Sequence, residues 1–262
     1  MALDEYRRKR DFTKSPEPKG KEPKARRPPP IKKVAPRFFC VQKHLASHLH
    51  YDFRLEYKGT LLSWAIPKGP SLDPKIKRLA MHVEDHPVEY GTFEGVIPQG
   101  YGAGIVMLWD RGTWIPETDD VDAALAKGDL KFTLDGYKLK GSWVLVRTRG
   151  YTRRSSRDRM AGPDRTPDSG RSWLLIKHRD EWSGDLDIAE FAPLSVKSGE
   201  DFPAILAEDV PAVWISHRPV EGGETGAMLA DVIQKAARLK AERQKPSKTR
   251  AAKPRSKSRV KR

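Results

Sequence analysis

In His50-Tyr51-Asp52-Phe53-Arg54-Leu55-Glu56, a histidine, an aspartate, an arginine and a glutamate recur at every second residue, and Tyr51, Phe53, Leu55 and Tyr57 fill the alternate positions. In a strand this pattern sends the aromatic and aliphatic side chains into a core and the polar row to the opposite face. His44 lies six residues before His50. Imidazole and carboxylate bind borderline divalent metals, and a planar guanidinium grips a phosphate at two points. The row therefore carries the donor set of a metal site beside an anion site. A solvated strand face with a chance cluster of histidines has the same pattern, so alternation alone leaves both readings open.

Three further clusters carry usable chemistry. Ser63-Trp64-Ala65-Ile66-Pro67-Lys68-Gly69-Pro70 ends a strand at a lysine held between proline and glycine, a rigid mount for a point charge. In Arg78-Leu79-Ala80-Met81-His82-Val83-Glu84-Asp85-His86-Pro87, alternation sets Arg78, Ala80, His82 and Glu84 on one face, with His86 where the strand ends. Pro98-Gln99-Gly100-Tyr101-Gly102-Ala103-Gly104 is glycine-rich but lies between strands and opens no helix, which excludes a dinucleotide or P-loop cradle. His178 and His217 have no evident partners. Together these clusters offer metal ligands, cations for phosphate and a free imidazole. That inventory suits metal-assisted phosphoester hydrolysis.

The elements that must position these groups are mostly strands: Phe38–Val41, His50–Tyr57, Leu61–Ile66, Arg78–Glu84, Ile105–Trp109, Asp129–Leu134, Tyr137–Leu139, Ser142–Thr148 and Trp173–Lys177. Lys58-Gly59 and Asp135-Gly136 read as tight hairpin turns. Val121–Lys127 is the one short helix expected among them. Many short strands without alternating long helices predict a mainly β chain, a compact barrel of about eight strands with a few short helices. Residues 150–171 read as an exposed loop. Apolar residues at helical spacing from Met228 to Leu239 predict an amphipathic helix over 226–243, and the chain after Pro246 has the composition of a disordered tail.

Charge divides the chain in the same way. Of the net +15, residues 1–35 carry +7 and residues 235–262 carry +12, which leaves the middle slightly acidic at −4. Residues 16–36 contain seven prolines and read as a stiff basic linker. Basic arms at both ends bind polyanions through counterion release, and nucleic acid fits best. The expected boundaries are 1–36 for the N-terminal arm, 37–182 for the barrel, 183–225 for an extension, and 226–262 for the helix and basic tail. The single cysteine, Cys40, lies in an apolar run and reads as a small buried hydrophobe in a reducing compartment. With no apolar leader and no run approaching the ~18 apolar residues of a membrane span, the expectation is a cytoplasmic, nucleoid-associated monomer with no membrane contact.

The blocks Gln42-Lys43-His44, Leu49 to Glu56, Ser63 to Pro70, Val83 to Pro87, Phe93-Glu94-Gly95, Trp109-Asp110 and Trp173 to Lys177 resemble, in this order, the 3′-phosphoesterase domain of bacterial DNA ligase D and its stand-alone relatives. The resemblance spans roughly residues 4–182. It implies a β-barrel holding Mn2+, or another divalent transition metal such as Zn2+ or Co2+, through His44, His50 and Asp52. It implies Arg54 and His86 on the scissile phosphate, assisted by Lys68 and Arg78, with Gln42, Glu84 and Tyr90 at further active-site positions. Arg10, Asp11 and Glu17 match the family's N-terminal segment that reaches the site. The implied activity is healing of DNA 3′ ends, in which a terminal ribonucleoside and then the 3′-phosphate are removed to leave a hydroxyl. The implied partners are DNA or RNA-tipped DNA 3′ ends, with a DNA ligase or end-binding protein alongside, as in non-homologous end joining. The chain departs from the pattern in its glycine-rich segment, shorter by one residue between Gly100 and Tyr101, and at His48, where arginine is frequent.

Thr133-Leu134-Asp135-Gly136 is the nearest approach to the Lys-x-Asp-Gly of a DNA ligase, with threonine in the nucleophile's place, so no nick sealing is expected. Two other readings remain. One is a DNA-end-binding accessory protein with a decayed site. The other is a cupin-like metal oxygenase, which would use His48, His50 and Glu56 as ligands.

Overall fold

The computed structural model describes residues 3–20, 35–97, 103–148, 170–208 and 223–243. Most of the proline-rich linker, most of the glycine-rich segment, nearly all of the 150–171 loop, His217 and the basic tail lie outside the described residues. The strands are β1 (Arg37–Leu45), β2 (Leu49–Tyr57), β3 (Thr60–Ile66), β4 (Arg78–Pro87), β5 (Gly95–Ile97), β6 (Gly104–Pro116), β7 (Asp129–Gly136), β8 (Lys140–Arg147) and β9 (Ser172–Lys177). They pair antiparallel in the order β1-β2-β3-β4-β9-β8-β7-β6, and β6 pairs back with β1, which closes an eight-stranded barrel. The 13 residues of β6 allow this, because one edge takes β1 while the other takes β5 near its start and β7 near its end.

Ring contacts identify the interior. Phe53 of β2 and Phe132 of β7 stack at 5.8 Å although their strands are not neighbours, so the contact crosses the lumen. Trp64, Trp114, Trp143 and Phe39 are also completely buried, and full burial of such a side chain contributes ~1.5–3 kcal/mol. Tyr51, Phe53 and Leu55 thus point inward as their spacing predicts. The polar row His50, Asp52, Arg54 lies on the outer face of the wall.

Turn and cap chemistry agrees with the sequence at one hairpin and one helix and departs at a second hairpin. Lys58 and Gly59 both adopt positive φ (51° and 82°), the pair of left-handed residues that lets a two-residue turn follow the twist of β2 and β3. Helix α2 (Val121–Lys127) is capped by the Asp120 carboxylate on the Ala123 N–H and ends at Gly128, whose φ of 81° is the left-handed stop that glycine adopts without strain. Tyr137–Leu139 is not a strand. Gly136 belongs to β7, and residues 137–139 make the turn into β8, held by the buried Asp110 carboxylate, which accepts from the Lys138 and Leu139 N–H groups.

Pieces from both chain ends cover the barrel. Helix α1 (Asp4–Arg8) inserts Tyr6 against Leu61 and Tyr90 on the outer face. At the other end, α3 (Ile188–Phe191), α4 (Phe202–Glu208) and α5 (Gly223–Arg243) follow a strap tied to the wall by Trp109 Nε1 donating to the Ala192 carbonyl and Val196 N–H to that of Leu108. Ile188, Phe202, Ile205, Val232 and Ala236 join the main apolar cluster. Ile233, on the far side of α5, is half exposed. Among the described residues, no helix is long and apolar enough to cross a membrane.

Candidate active site

The three-residue turn Ala46–His48 folds β2 back on β1 so that His44 faces His50, Gln42 faces Asp52 and Cys40 faces Arg54. Directly opposed residues have Cβ atoms only ~4.5–5.5 Å apart, so hairpin register alone gathers two imidazoles and a carboxylate. The ligand atoms of His44, His50 and Asp52 all lie within 4.8 Å of one another. His44 Nδ1 is 3.6 Å from Asp52 Oδ2, and His50 Nε2 is 3.8 Å from Oδ1. His50 Nδ1 lies 2.9 Å from the His48 carbonyl. This carbonyl takes the ring N–H and leaves Nε2 as a lone pair aimed at the cluster, the usual support of a metal-bound histidine. Two imidazoles and one carboxylate are a donor set that fits a divalent transition metal. Burial lowers the pKa of His50, which favours the neutral ligand form. Burial alone would raise Asp52, but the Arg54 guanidinium and the two imidazoles outweigh it and hold the carboxyl well below the usual range.

Arg54 is almost fully engaged. Nε donates to Gln42 Oε1 (2.8 Å), Nη1 to Ser63 Oγ (2.8 Å), Nη2 contacts Asp52 Oδ2 (3.1 Å), and Nη1 also lies 2.9 Å from His86 Nδ1. Among the described residues, at least one Nη2 N–H is left over from the five that a guanidinium carries. Gln42 anchors this arrangement by donating to the Tyr90 and Phe93 carbonyls at 3.0 and 2.9 Å. Ser63, which the sequence reading passed over, is completely buried beneath Arg54. Its position opposite Arg54 in the β2–β3 register is the signal that could have found it.

His86 reaches this face through a bulge. Ser63 pairs with Val83 but Leu61 with His86, so β4 carries one extra residue between these pairs. The bulge breaks the alternation expected along Arg78–Glu84. Arg78 pairs opposite Leu175, whose side chain is in the barrel core, so Arg78 is turned away from the site and its Nε is buried without a partner among the described residues. Glu84 and His86, beyond the bulge, turn to the site. His86 Nδ1 is 2.8 Å from the Glu84 carbonyl and Nε2 is 3.1 Å from Arg10 Nη2. Arginine can only donate and a carbonyl can only accept, so with the proton on Nδ1 the ring donates to the Glu84 carbonyl and accepts from Arg10 at Nε2, while Arg54 Nη1 lies against Nδ1 without donating to it. Burial, then Arg54 and Arg10, hold His86 well below the ordinary histidine pKa, so the ring is neutral.

The N-terminal arm closes over these groups. Arg10 Nε pairs with Glu17 at 2.7 Å and Nη1 with Glu84 at 3.1 Å, while Lys9 reaches the second Glu84 oxygen at 3.1 Å. Burial would raise Glu84, but its own backbone N–H, Lys9 and Arg10 lower it overall. Tyr6 packs edge-on against His86 at 4.8 Å, and Tyr90 covers the ring at 4.9 Å. Asp11 takes no part: it is exposed and bonded to Thr13. Lys68 is exposed beyond β3, on the wall of a cavity that His50 also lines. The His48, His50, Glu56 set of an oxygenase does not converge, since Glu56 binds the Gly59 N–H at the far end of β2.

Comparison with known proteins agrees with this geometry. Residues 42–147 match the DNA ligase D 3′-phosphoesterase domain. The chain is 45% identical over 228 residues to the multifunctional non-homologous end joining protein LigD of Pseudomonas aeruginosa, covering 86% of this chain and 24% of that protein. It is 41% identical over 204 residues to LigD of Mycolicibacterium smegmatis, covering 75% and 23%, and 43% identical over 151 residues to LigD of Mycobacterium tuberculosis, covering 56% and 18%. The chain thus spans a quarter or less of the length of these relatives. With its closed barrel, its His-His-Asp cluster on the β1–β2 hairpin and these sequence matches, the region 42–147 belongs to the DNA ligase D 3′-phosphoesterase domain family.

Proposed function

We propose that the chain is a divalent-metal-dependent hydrolase of DNA 3′ ends, active on a terminal ribonucleoside and on a 3′-phosphate, and that it heals ends for ligation in non-homologous end joining, the process named for its relatives. The observation that carries this reading is the convergence of His44, His50 and Asp52 within 4.8 Å, beside a guanidinium with an N–H to spare. We assign the N-terminal arm to residues 1–36, the catalytic barrel to 37–182, the extension to 183–225 and the helix with its basic tail to 226–262.

A bound Mn2+, Zn2+ or Co2+ would supply Lewis acidity to a non-bridging phosphate oxygen and an acidified water. Arg54 offers its remaining Nη2 N–H to a phosphate oxygen, and its other donors keep it rigid, so charge is stabilised without reorganisation. A phosphate oxygen at His86 Nε2 needs an N–H there, where Arg10 now donates. Substrate must therefore displace Arg10 from that atom, and the ring must carry its proton on Nε2, from which it can pass to the leaving oxygen. Lys68 lends charge from the rim.

Incubation with 3′-ribonucleoside- and 3′-phosphate-tipped primers should yield 3′-hydroxyl ends with Mn2+ and unchanged primers in EDTA, resolved on a denaturing gel. Equal turnover in EDTA would refute the metal requirement. Ser63→Ala leaves a buried Arg54 N–H without its acceptor, a loss of ~1–3 kcal/mol. At 1.4 kcal/mol per decade, 3′-phosphate release should slow roughly 10–100-fold, with metal affinity, read by calorimetry, unchanged.

A further inference from the structure

A cavity of about 900 Å³ opens beside the metal ligands, between the β1–β2 turn, the end of β3 and the start of α5. His50 is both a member of the metal cluster and part of the cavity wall. Whatever is covalently joined to a phosphate held at that cluster therefore has this space next to it. The wall includes Leu49, Pro67 and Met228 beside His48 and Lys68. This is the mixture of flat, polarisable and cationic groups on which single nucleotides are held. The volume lies in the range of small-ligand pockets, whereas a 3′-phosphate monoester has nothing to place there.

We propose that this cavity is the subsite for the terminal nucleoside, and that Met228 of α5 is its specificity-determining contact. The proposal rests on the phosphoesterase reading and extends it to a wall built by the C-terminal helix. In the step it serves, water oxygen bonds to phosphorus, the P–O5′ bond breaks, a proton goes to O5′, and the nucleoside departs through the cavity while the strand keeps a 3′-phosphate. Helix α5 stands across the cavity from the turn, fixed by the burial of Val232 and Ala236 in the apolar core.

The test compares three primer tips on the full chain with Mn2+: a ribonucleoside, an abasic ribose joined by the same phosphodiester, and a 3′-phosphate. Met228→Trp fills the cavity and should lower kcat/KM on the ribonucleoside tip at least ~10-fold relative to the other two, mainly through KM. Met228→Ala introduces no clash and should show the same preference at about threefold, on the scale of one lost apolar contact. An equal fall on all three tips, or no fall on any, overturns the subsite. Wild-type inactivity on all three tips would remove the phosphoesterase reading itself and the subsite with it.

Discussion

Asp52→Asn should leave a folded protein that has lost 3′-end hydrolysis by at least ~10³-fold. Asp52 contributes the only anionic oxygens of the cluster and faces both imidazoles. An amide is a poor ligand for a borderline metal that favours carboxylate and imidazole. Loss of a Lewis acid worth several kcal/mol corresponds to about three decades of rate. Asparagine is chosen over alanine because Asp52 also neutralises the buried Arg54. Alanine would leave the buried Arg54 Nη2 with neither counter-charge nor acceptor, at a cost of ~3–5 kcal/mol, and the inactivity of an unfolded protein would prove nothing. The amide oxygen still accepts from Nη2 and maintains the packing. The check is single-turnover 3′-phosphate release alongside calorimetric Mn2+ titration and a thermal melt. Near-wild-type metal affinity with lost activity would show that Asp52 serves Arg54 rather than the ion.

Arg10→Ala should release the N-terminal arm. Arg10 joins Glu17 and Glu84, and all three side chains are at most 5% exposed, so its loss strands two buried carboxylates. Glu84 keeps Lys9 and Glu17 keeps Ser15, but neither replaces a two-sided guanidinium. The loss of ~3–5 kcal/mol expected for a broken buried pair is capped by the free energy with which the arm itself docks, because the arm can lift before the barrel unfolds. The sensitive readout is therefore local. Cleavage by trypsin after Arg7, Arg8 and Lys9 tracks the open population and should accelerate about 100-fold, while the barrel's melting temperature falls much less. Arg10→Ala combined with Glu17→Gln should recover part of the loss, since one stranded charge is gone. Cleavage unchanged within a factor of two would mean that Tyr6 and its aromatic neighbours, not the ion pairs, hold the arm.

Parts of this molecule were already legible along the chain. Strand identity follows from alternation wherever one face is packed in the lumen, as at Tyr51, Phe53 and Leu55, because a period of two is enforced by the pleat itself. Helix α2 and the Lys58-Gly59 turn follow from local rules, a cap and a pair of left-handed residues, that need no distant contact. His44, His50 and Asp52 came together because a short hairpin converts spacing into register. What only the tertiary structure decided lies at points of non-local pairing. The bulge in β4 turns Glu84 and His86 to the site and Arg78 away, because the register of β4 against β3 and β9 overrides its own alternation. Ser63 gained its role from the strand opposite, and Asp11 lost its expected one because the fold of the arm points Arg10 and Glu17 inward and leaves Asp11 in solvent. Met228 shares a cavity wall with His50 across more than 170 residues of chain. One-dimensional periodicity carries no information about such closures, since they depend on which surfaces bury each other after the chain has returned.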